Sequence, residues 1–322
     1  MEPMGTNRFK KNTTVTPHIG PPCHGAVVIP AKNEEKNIGK CLEAVYNQKT
    51  AYRFDVFVID SGSSDQTVEI VKKFQAVKLV EIRPEEFGHG KTRNLGAEIS
   101  TGDYIVFLNA DAIPFDKNWL NRLIEPFTKT EKTAGVFSRH IPKEGCHLYM
   151  ARDIRNSMPD KPMIRTKINP LDFMIFSTVS CAVRRDIWLK YPFDNTVAIA
   201  EDQQWARKIL EQGLKIAYEP ASMVYHSHNY TPRQLFEIKR KVGKASGRFK
   251  NRFSALLLGF FLMKGGMVFK LAGDIGFILF KSPGRIPLPI KLKEIKTAFK
   301  ARIAGFTGRY MGWLRGAEVS NE

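Results

Sequence analysis

The chain has 322 residues, 43% of them hydrophobic, and a formal net charge of +18. This length accommodates one large core or two domains, and this composition excludes an intrinsically disordered protein. The charge is uneven, because the chain from Leu235 to its end holds 18 basic and 5 acidic residues, a net charge of +13. Such a basic block favours partners that carry phosphate, either nucleic acid or an anionic lipid surface.

Residues 1–24 read as a flexible tail without an apolar h-region, so we expect no signal peptide. The four cysteines, Cys23, Cys41, Cys146 and Cys181, form neither a CxxC pair nor a zinc-type spacing. This pattern favours buried, reduced thiols in a cytosolic compartment over a disulfide framework.

Strand and helix patterns then alternate up to residue 112. The strands are predicted at 26–31, 54–60, 77–82 and 104–112, and the helices at 34–48, 67–74 and 91–100. This alternation predicts an α/β fold with a mostly parallel sheet and right-handed crossovers. Ligands bind such sheets at the carboxyl ends of the strands, where Asp60 and Asp111 stand. We therefore expect a site at this edge.

After Pro114 the pattern is weaker. Residues 173–191 predict a strand followed by a short helix, and "AEDQQWARKILEQG" predicts a helix that ends before Gly213. Glu201 and Asp202 occupy the first turn of that helix, where acids also have a purely structural role because they favour the helix dipole. A last strand, from residue 215, leads into "YHSHNY".

The C-terminal third predicts basic amphipathic helices. "FSALLLGFFLM" (residues 253–263) is apolar but too short to span a bilayer. Farther on, one helical stripe carries Leu292, Ile295, Phe299, Ile303, Phe306 and Tyr310, with most of the lysines away from it. Helices of this kind lie in a membrane interface. The alternative is a helix docked on the protein body by its apolar stripe.

Four stretches, in this order, resemble family 2 of the inverting glycosyltransferases: "VVIPAKNEEKNIGKCLEAV", "VFVIDSGSSDQTVEI", "GKTRNLGAEISTGDYIVFLNADAIP" and "AEDQQWARKIL". The form "EFGHGKTRNLGA" is most similar to the bacterial rhamnosyltransferase branch. The resemblance implies a GT-A fold, a Rossmann-like α/β architecture. With the composition, it divides the chain into a tail (1–24), a GT-A domain (25–232) and a basic helical membrane or acceptor region (233–322).

The resemblance implies a nucleotide-sugar site built from three stretches. The end of the first strand would line base and ribose, and the carboxylate of Asp60, next to Ser61, would accept a hydrogen bond from N3–H of a pyrimidine. Arg93 would reach a phosphate or a base carbonyl. The full implied set is Pro30, Ala31, Asn33, Glu34, Asp60, Ser61, Arg93, Asn94, Asn109 and Ala110.

The resemblance also implies a divalent cation, Mg²⁺ or Mn²⁺, at the donor diphosphate. The family usually has Asp-x-Asp here, whereas this chain has Asn109-Ala110-Asp111. One carboxylate suffices where phosphate oxygens and waters complete the coordination. His226 and His228 are further candidate ligands, with histidine packing as the alternative. The departure from Asp-x-Asp leaves metal-free action open.

Inversion requires a carboxylate that takes the proton of the acceptor hydroxyl as its oxygen attacks the anomeric carbon. Asp202 matches the family's base position, and its neighbour Glu201 is the second candidate. In the family that this chain resembles, processive synthases carry a Gln-x-x-Arg-Trp motif and membrane spans. This sequence has neither that motif nor a long apolar span, so the resemblance implies a single addition.

The expected function is transfer of one sugar, with rhamnose as the candidate, from a UDP- or dTDP-sugar to a hydroxyl of a lipid-linked glycan. We expect the enzyme in the cytoplasm, peripheral on the anionic inner face of the cell membrane. One alternative is a transferase that acts on polyprenyl phosphate. The other is a non-catalytic basic protein that binds nucleic acid or membrane, but helix-turn-helix, zinc-finger and RNP1-like signatures are absent from the sequence, so no nucleic-acid partner is expected.

Overall fold

The protein is described by a computed structural model that covers residues 25–168, 175–247, 265–282 and 284–319. It confirms an α/β fold. The strands are β1 (Gly25–Ala31), β2 (Phe54–Asp60), β3 (Val77–Glu81), β4 (Tyr104–Leu108), β5 (Ile113–Pro114), β6 (Thr133–Ile141), β7 (Met163–Arg165), β8 (Ser180–Arg184) and β9 (Lys215–Tyr225). The helices are α1 (Ile38–Tyr46), α2 (Thr67–Lys72), α3 (His89–Ile99), α4 (Trp119–Lys129), α5 (Leu148–Ser157), α6 (Arg185–Lys190), α7 (Glu201–Glu211), α8 (Pro232–Gly247), α9 (265–276) and α10 (Leu288–Val319).

The strands form one sheet in the order β3-β2-β1-β4-β8-β6-β9-β5, with β7 paired to β9. Strands β1, β2, β3, β4, β6 and β9 run in one direction, and β5, β7 and β8 run against them. Helices cover both faces, because side chains alternate along each buried strand. Val27 and Ile29 pack with α1 and α4, whereas Val28 packs with α3, α6 and α7.

The strands and helices predicted up to residue 112 are present, with shifts of a few residues at their ends. The sequence analysis missed α4, β6 and α5. Pro126 lies inside α4, and β6 buries Ser138 and His140 among its apolar side chains. The hydroxyl of Ser138 lies 2.7 Å from that of Ser180 and 2.9 Å from that of Ser222, so a polar network fills this part of the core. That network interrupts the apolar pattern on which strand prediction depends.

Helices α8, α9 and α10 pack together at one end of the sheet, and we call them the C-terminal helices. The backbones of α8 and α10 come very close, because a β-carbon at Gly308 would lie 2.3 Å from the carbonyl oxygen of Phe236. A β-carbon at Gly312 would likewise lie 2.1 Å from the carbonyl oxygen of Arg240. Glycine permits this approach because it has no side chain.

Ion pairs join the C-terminal helices to α5. The Arg302 guanidinium on α10 donates to Asp153 on α5 at 2.6 Å and to Asp274 on α9 at 2.7 Å. Arg152 on α5 donates to Asp274 at 2.9 Å, and Asp274 is fully buried. Since removing one partner from such a network leaves an unpaired buried charge, this cluster fixes the C-terminal helices on the body.

The apolar stripe of α10 is divided between the body and solvent. Ala298 and Ala301 are buried against Leu235 and Tyr149, and Ile295 of the stripe packs against the same cluster, whereas Leu292, Phe299 and Ile303 are 57%, 49% and 41% exposed. The helix therefore docks through small residues and part of its apolar stripe, and the other part of the stripe is exposed. The segment 253–263 lies outside the described residues. No helix within the described part of the chain is long and apolar enough to cross a membrane.

Candidate active site

A cleft of about 180 Å³ opens where β1, β2 and β4 end. Many of the expected residues line it, namely Pro30, Ala31, Glu34, Ser61, Arg93, Asn109, Ala110 and Asp111. Lys32, Phe87 and His89 complete the lining. The Phe87 ring is 40% exposed and meets the His89 ring edge-on at 5.1 Å. The cleft thus combines an exposed aromatic ring with polar and charged groups at the ligand-binding edge of the sheet.

A larger depression, of about 590 Å³, lies at the opposite end of the sheet, beside Tyr104 and Phe127. Its charged groups pair with one another: Arg184 bonds Asp186 and the backbone of Glu131. Size alone would favour this depression. We place the chemistry in the smaller cleft, because the strand-terminal acid and the histidines meet there.

Strand pairing creates a candidate metal centre beside the cleft. Strand β5 follows Asp111 by one residue and pairs with the end of β9, with Ile113 opposite Tyr225. This pairing brings Asp111 to His226 and His228. The Nε2 atoms of the two histidines lie 3.5 and 3.4 Å from Asp111 Oδ2, and 3.1 Å from each other.

The donor set fits a divalent cation. All three ligand atoms lie within 4.8 Å of one another, so one ion can contact them together. Burial, reinforced by His228, lowers the pKa of His226 to about 3, and burial also lowers the pKa of His228. Both imidazoles are therefore neutral at physiological pH, which is the form that binds metals.

Lys143 stands at the same centre, and the sequence analysis missed it. Its Nζ lies 3.8 Å from Asp111 Oδ2, and its backbone N–H donates to Ser227 Oγ at 3.0 Å. The residue lies just after β6, a strand that the sequence pattern did not reveal. The loop that carries His226 and His228, which we call the histidine loop, holds Lys143 in place through Ser227. No local signal in the sequence could therefore have indicated the position of this lysine.

The first turn of α7 supplies the two candidate bases. Ala200 precedes this turn in the left-handed region (φ 69°), a strained conformation for a residue with a side chain. Asp202 is partly buried and accepts from the backbone N–H of Gln203 at 2.7 Å and of Thr178 at 3.4 Å. Burial, followed by the neighbouring charge of Glu201, raises the pKa of Asp202 to about 6. A carboxylate with this pKa suits proton abstraction near neutral pH.

Glu201 has a different environment. It is 5% exposed and accepts from Arg93 Nη1 at 2.9 Å. Arg93 Nη1 also donates to the carbonyl oxygen of His89 at 3.0 Å, and Nη2 donates to Asn109 Oδ1 at 2.9 Å. One buried guanidinium thus joins α7, the start of α3 and the end of β4. Its Nε has no partner among the described residues, and both Arg93 and Asn109 line the cleft. Their expected contacts with a nucleotide therefore stay a prediction beside this positioning role.

Three other expected residues form hydrogen bonds within the protein. Asp60 is 1% exposed, and its oxygens accept from the backbone of Gly62 and Ser63 and from Ser63 Oγ, at 2.5 to 3.0 Å. Its carboxylate therefore closes its own turn, and its contact with a base stays a prediction. Asn94 is 4% exposed and bonds Trp188, Phe193 and Asn195, away from the cleft. The Asn33 amide oxygen accepts from the backbone of Ser64 at 2.8 Å, which ties β1 to the next turn.

Glu34 lies where the sequence analysis expected it, on the cleft wall. Its Oε2 accepts from Asn37 Nδ2 at 2.7 Å. Burial raises the pKa of this carboxyl and nearby Asp111 adds to the shift, although the bond from Asn37 opposes it. The cleft therefore gathers negative charge around Glu34 and Asp111, opposite the ammonium of Lys143.

Comparison with known proteins identifies the family of the chain. The family model described as glycosyl transferase family 2 matches residues 26–190. The chain is 30% identical over 217 residues to the O-antigen chain rhamnosyltransferase RfbN of Salmonella typhimurium, a match that covers 66% of this chain and 68% of that protein. It is also 30% identical over 198 residues to the O-antigen chain rhamnosyltransferase WbaN of Salmonella anatum, across 60% of this chain and 62% of the relative.

Among solved structures, the mannosyltransferase PcManGT from Pyrobaculum calidifontis, in complex with GDP-Man and Mn²⁺, has a similar fold. The TM-score is 0.60 at 19% identity, and the match covers 93% of this chain and 89% of that one. This likeness supports the GT-A fold expected from the sequence. The family match covers half of the chain, and the relative RfbN agrees with it. The chain therefore belongs to glycosyl transferase family 2 and is a glycosyltransferase.

Proposed function

We propose that this enzyme transfers a single sugar, with inversion, from a nucleotide-diphospho-sugar to a hydroxyl group of a lipid-linked glycan. The observation that carries the proposal is the pairing of two unlike sites. A cluster of two neutral imidazoles and a carboxylate meets the cleft at Asp111. Asp202, with its raised pKa, follows Glu201, whose partner Arg93 lines the same cleft. The first suits a diphosphate with its cation, and the second suits a general base.

Asp111, His226 and His228 would hold Mg²⁺ or Mn²⁺. When bound, such an ion offsets the charge of the leaving diphosphate. Lys143 adds a fixed positive charge beside it. Its ammonium would contact phosphate oxygens and remain in place whether or not the cation is bound. A cation in the cluster fits the PcManGT complex, which contains Mn²⁺.

Asp202 would accept the proton of the acceptor hydroxyl while that oxygen attacks the anomeric carbon. Glu201 takes a positioning role in this account, because its carboxylate is buried and bonded to Arg93. Arg93 in turn holds Asn109 at the donor side. The base helix and the donor edge are therefore fixed to each other by one side chain, which is the alignment that a single displacement needs.

Rhamnose and a UDP- or dTDP-linked donor are the proposed sugar and nucleotide, and O-antigen-like glycan is the proposed acceptor class. Two relatives named as O-antigen chain rhamnosyltransferases support this choice. Ser61, rather than Asp60, is the polar side chain of the second strand end that lines the cleft. Ser61 is therefore proposed as a contact of the nucleotide beside Asp60, whose contact with a pyrimidine base remains part of the proposal.

The C-terminal helices would hold the enzyme on the anionic inner face of the cell membrane. Leu292, Phe299 and Ile303 are exposed on α10, and Lys296 and Lys300 are exposed on the same helix. Exposed apolar groups beside lysines complement the interior and the charge of an anionic lipid surface. A lipid-linked acceptor would be reached from this position.

Replacing Asp202 by Asn should reduce transfer by at least about a hundredfold, because the proton acceptor is lost. Donor binding, measured by calorimetry, should stay unchanged. The variant should also unfold at the same temperature or higher, since a carboxyl whose pKa is raised by burial destabilises the fold when it is ionised. Near-normal turnover would contradict the assignment of the base.

Glu201→Gln should move the pH profile of kcat/KM. In the wild type the rate should fall as the pH drops through about 6, because Asp202 then gains a proton. Without the negative neighbour, and with Arg93 left uncompensated, the pKa of Asp202 should fall and the acid limb should shift to lower pH. The control is Glu211→Gln, at the exposed end of the same helix. An unmoved limb would show that Glu201 acts only on structure.

Mn²⁺ binding should depend on Asp111 and His226. We expect Asp111→Asn and His226→Gln each to weaken Mn²⁺ affinity about tenfold or more, measured by the paramagnetic resonance signal of free Mn²⁺ without donor. Asp116→Asn removes a carboxylate that is paired with Arg122 elsewhere and serves as the control. Equal affinities in all the proteins would remove the cation from this cluster.

Phe299→Ser combined with Ile303→Ser should reduce flotation with anionic vesicles, because the exposed apolar area of α10 is lost. The control is Ile164→Ser together with Leu189→Ser, which removes side chains that are 61% and 67% exposed on the α/β body. Binding of the wild type should weaken with salt. Equal flotation of the two double variants would contradict the proposed membrane face.

A further inference from the structure

The C-terminal helices carry more positive charge than their acids can neutralise. Each acid whose side chain is described between residues 232 and 315 already has a basic partner: Glu237 with Arg240, Asp274 with Arg152 and Arg302, and Glu294 with His147. Residues 248–264 add arginines and lysines to the sequence but no Asp or Glu. A basic side chain near the centre of this region must therefore find its counter-charge elsewhere.

Lys239, on α8, is such a side chain. It is only partly exposed, and none of the described carboxylates lies within ion-pair distance of its ammonium. Burial lowers the pKa of Lys239, and the charges of Arg309 and Lys270 lower it further, against a weaker opposing effect of Asp153. The stem of Lys239 lies beside Gly305 of α10, one turn after Arg302, and Arg302 shares Asp153 with Lys270. A half-buried ammonium near these cations is unfavourable unless an anion accompanies it.

Lys270, on α9, forms one long ion pair, with a carboxylate that already has another partner. Its Nζ lies 3.6 Å from Asp153 Oδ1, but Arg302 already donates to both oxygens of Asp153, at 2.6 and 3.0 Å. The side chain of Lys270 is 48% exposed. It can therefore turn towards a ligand without breaking the Arg302 cluster that holds the helices on the body.

The surroundings of Lys270 indicate what kind of anion this would be. Val268 and Phe269 immediately precede it on α9 and are 62% and 78% exposed. Phe280, near the end of the same helical segment, is 83% exposed. Cations beside exposed aromatic and aliphatic side chains match the boundary between headgroups and acyl chains. Free phosphate would gain nothing from the apolar neighbours.

We propose that Lys239 and Lys270 bind the phosphate of a lipid headgroup, while Val268 and Phe269 contact its hydrocarbon. Phosphate oxygens would accept charge-assisted hydrogen bonds from the ammonium groups and supply the missing counter-charge. The phosphate belongs either to a membrane phospholipid or to the diphosphate of a prenyl-linked acceptor. The site is separate from the cleft, and its occupancy requires neither donor nor catalysis, so it can be tested independently of the proposed transfer.

The test is binding of the full chain, without donor, to three kinds of vesicle: phosphatidylcholine alone, with phosphatidylglycerol, and with prenyl diphosphate at equal surface charge. Lys239→Met and Lys270→Gln are compared with Lys241→Met and Lys293→Gln, two exposed lysines of the same helical region. A lysine that only adds to the diffuse surface charge should cost about fivefold or less. The two site variants should lose at least about tenfold.

The vesicle arms separate the two lipid sources. Loss on both anionic vesicles assigns the site to phospholipid, and loss confined to prenyl diphosphate assigns it to the acceptor headgroup. Losses no larger than those of the control lysines would overturn the proposal. So would a parallel loss of binding to duplex DNA, because the ligand would then not be a lipid.

A second readout does not depend on vesicles. Lys239→Met keeps the aliphatic stem and removes an unpaired charge, so it should raise the midpoint of thermal unfolding in phosphate-free buffer. Lys241→Met should leave the midpoint unchanged. A lower midpoint for Lys239→Met would contradict the view that this ammonium lacks a counter-charge in the free protein.

Discussion

The buried contact between Arg93 and Glu201 is the interaction on which the site depends. Arg93 donates hydrogen bonds to Glu201 and to Asn109. These bonds join α7 to the edge of the sheet where β4 ends. Both side chains of the ion pair are almost fully buried, so loss of either partner would leave an uncompensated charge. The same pair also acts on Asp202: burial raises its pKa most, Glu201 raises it further, and Arg93 lowers it.

A second constraint acts on the opposite side of the cleft. The short pairing of β5 with the end of β9 brings Asp111 to the two histidines, although 114 residues separate Asp111 from Tyr225 along the chain. The histidine loop then continues through Tyr230, whose ring stacks on His228 at 4.9 Å and packs against the core of the C-terminal helices. The candidate metal centre and the proposed membrane face are thus connected by one short segment.

The first half of the fold and the strand-end acids could be predicted from the sequence, because buried parallel strands leave long apolar runs and end in polar turns. The direction of each side chain could not. Asp60 and Asp111 occupy equivalent strand ends, yet the first closes its own turn and the second reaches the cleft. Local pattern cannot distinguish these cases, since the difference lies in contacts with residues outside the strand.

The C-terminal helices illustrate the same limit. The apolar stripe of α10 was visible in the sequence, but its orientation depends on how closely α8 and α10 approach through Gly308 and Gly312. Docking through small residues leaves Leu292, Phe299 and Ile303 exposed, and these form the proposed membrane face. Lys143 and Lys239 likewise gain their roles from neighbours that are distant in the sequence.

The most direct test of the account is the anomeric configuration of the product. Purified enzyme would be incubated with a panel of UDP-, dTDP- and GDP-sugars and a lipid-linked acceptor fraction, and the new linkage would be assigned by NMR coupling constants. A single displacement assisted by Asp202 predicts one active donor, released nucleoside diphosphate, and a linkage of the opposite anomeric configuration to the donor. A linkage with retained configuration would contradict the account, because a single displacement from the face opposite the diphosphate inverts the anomeric carbon.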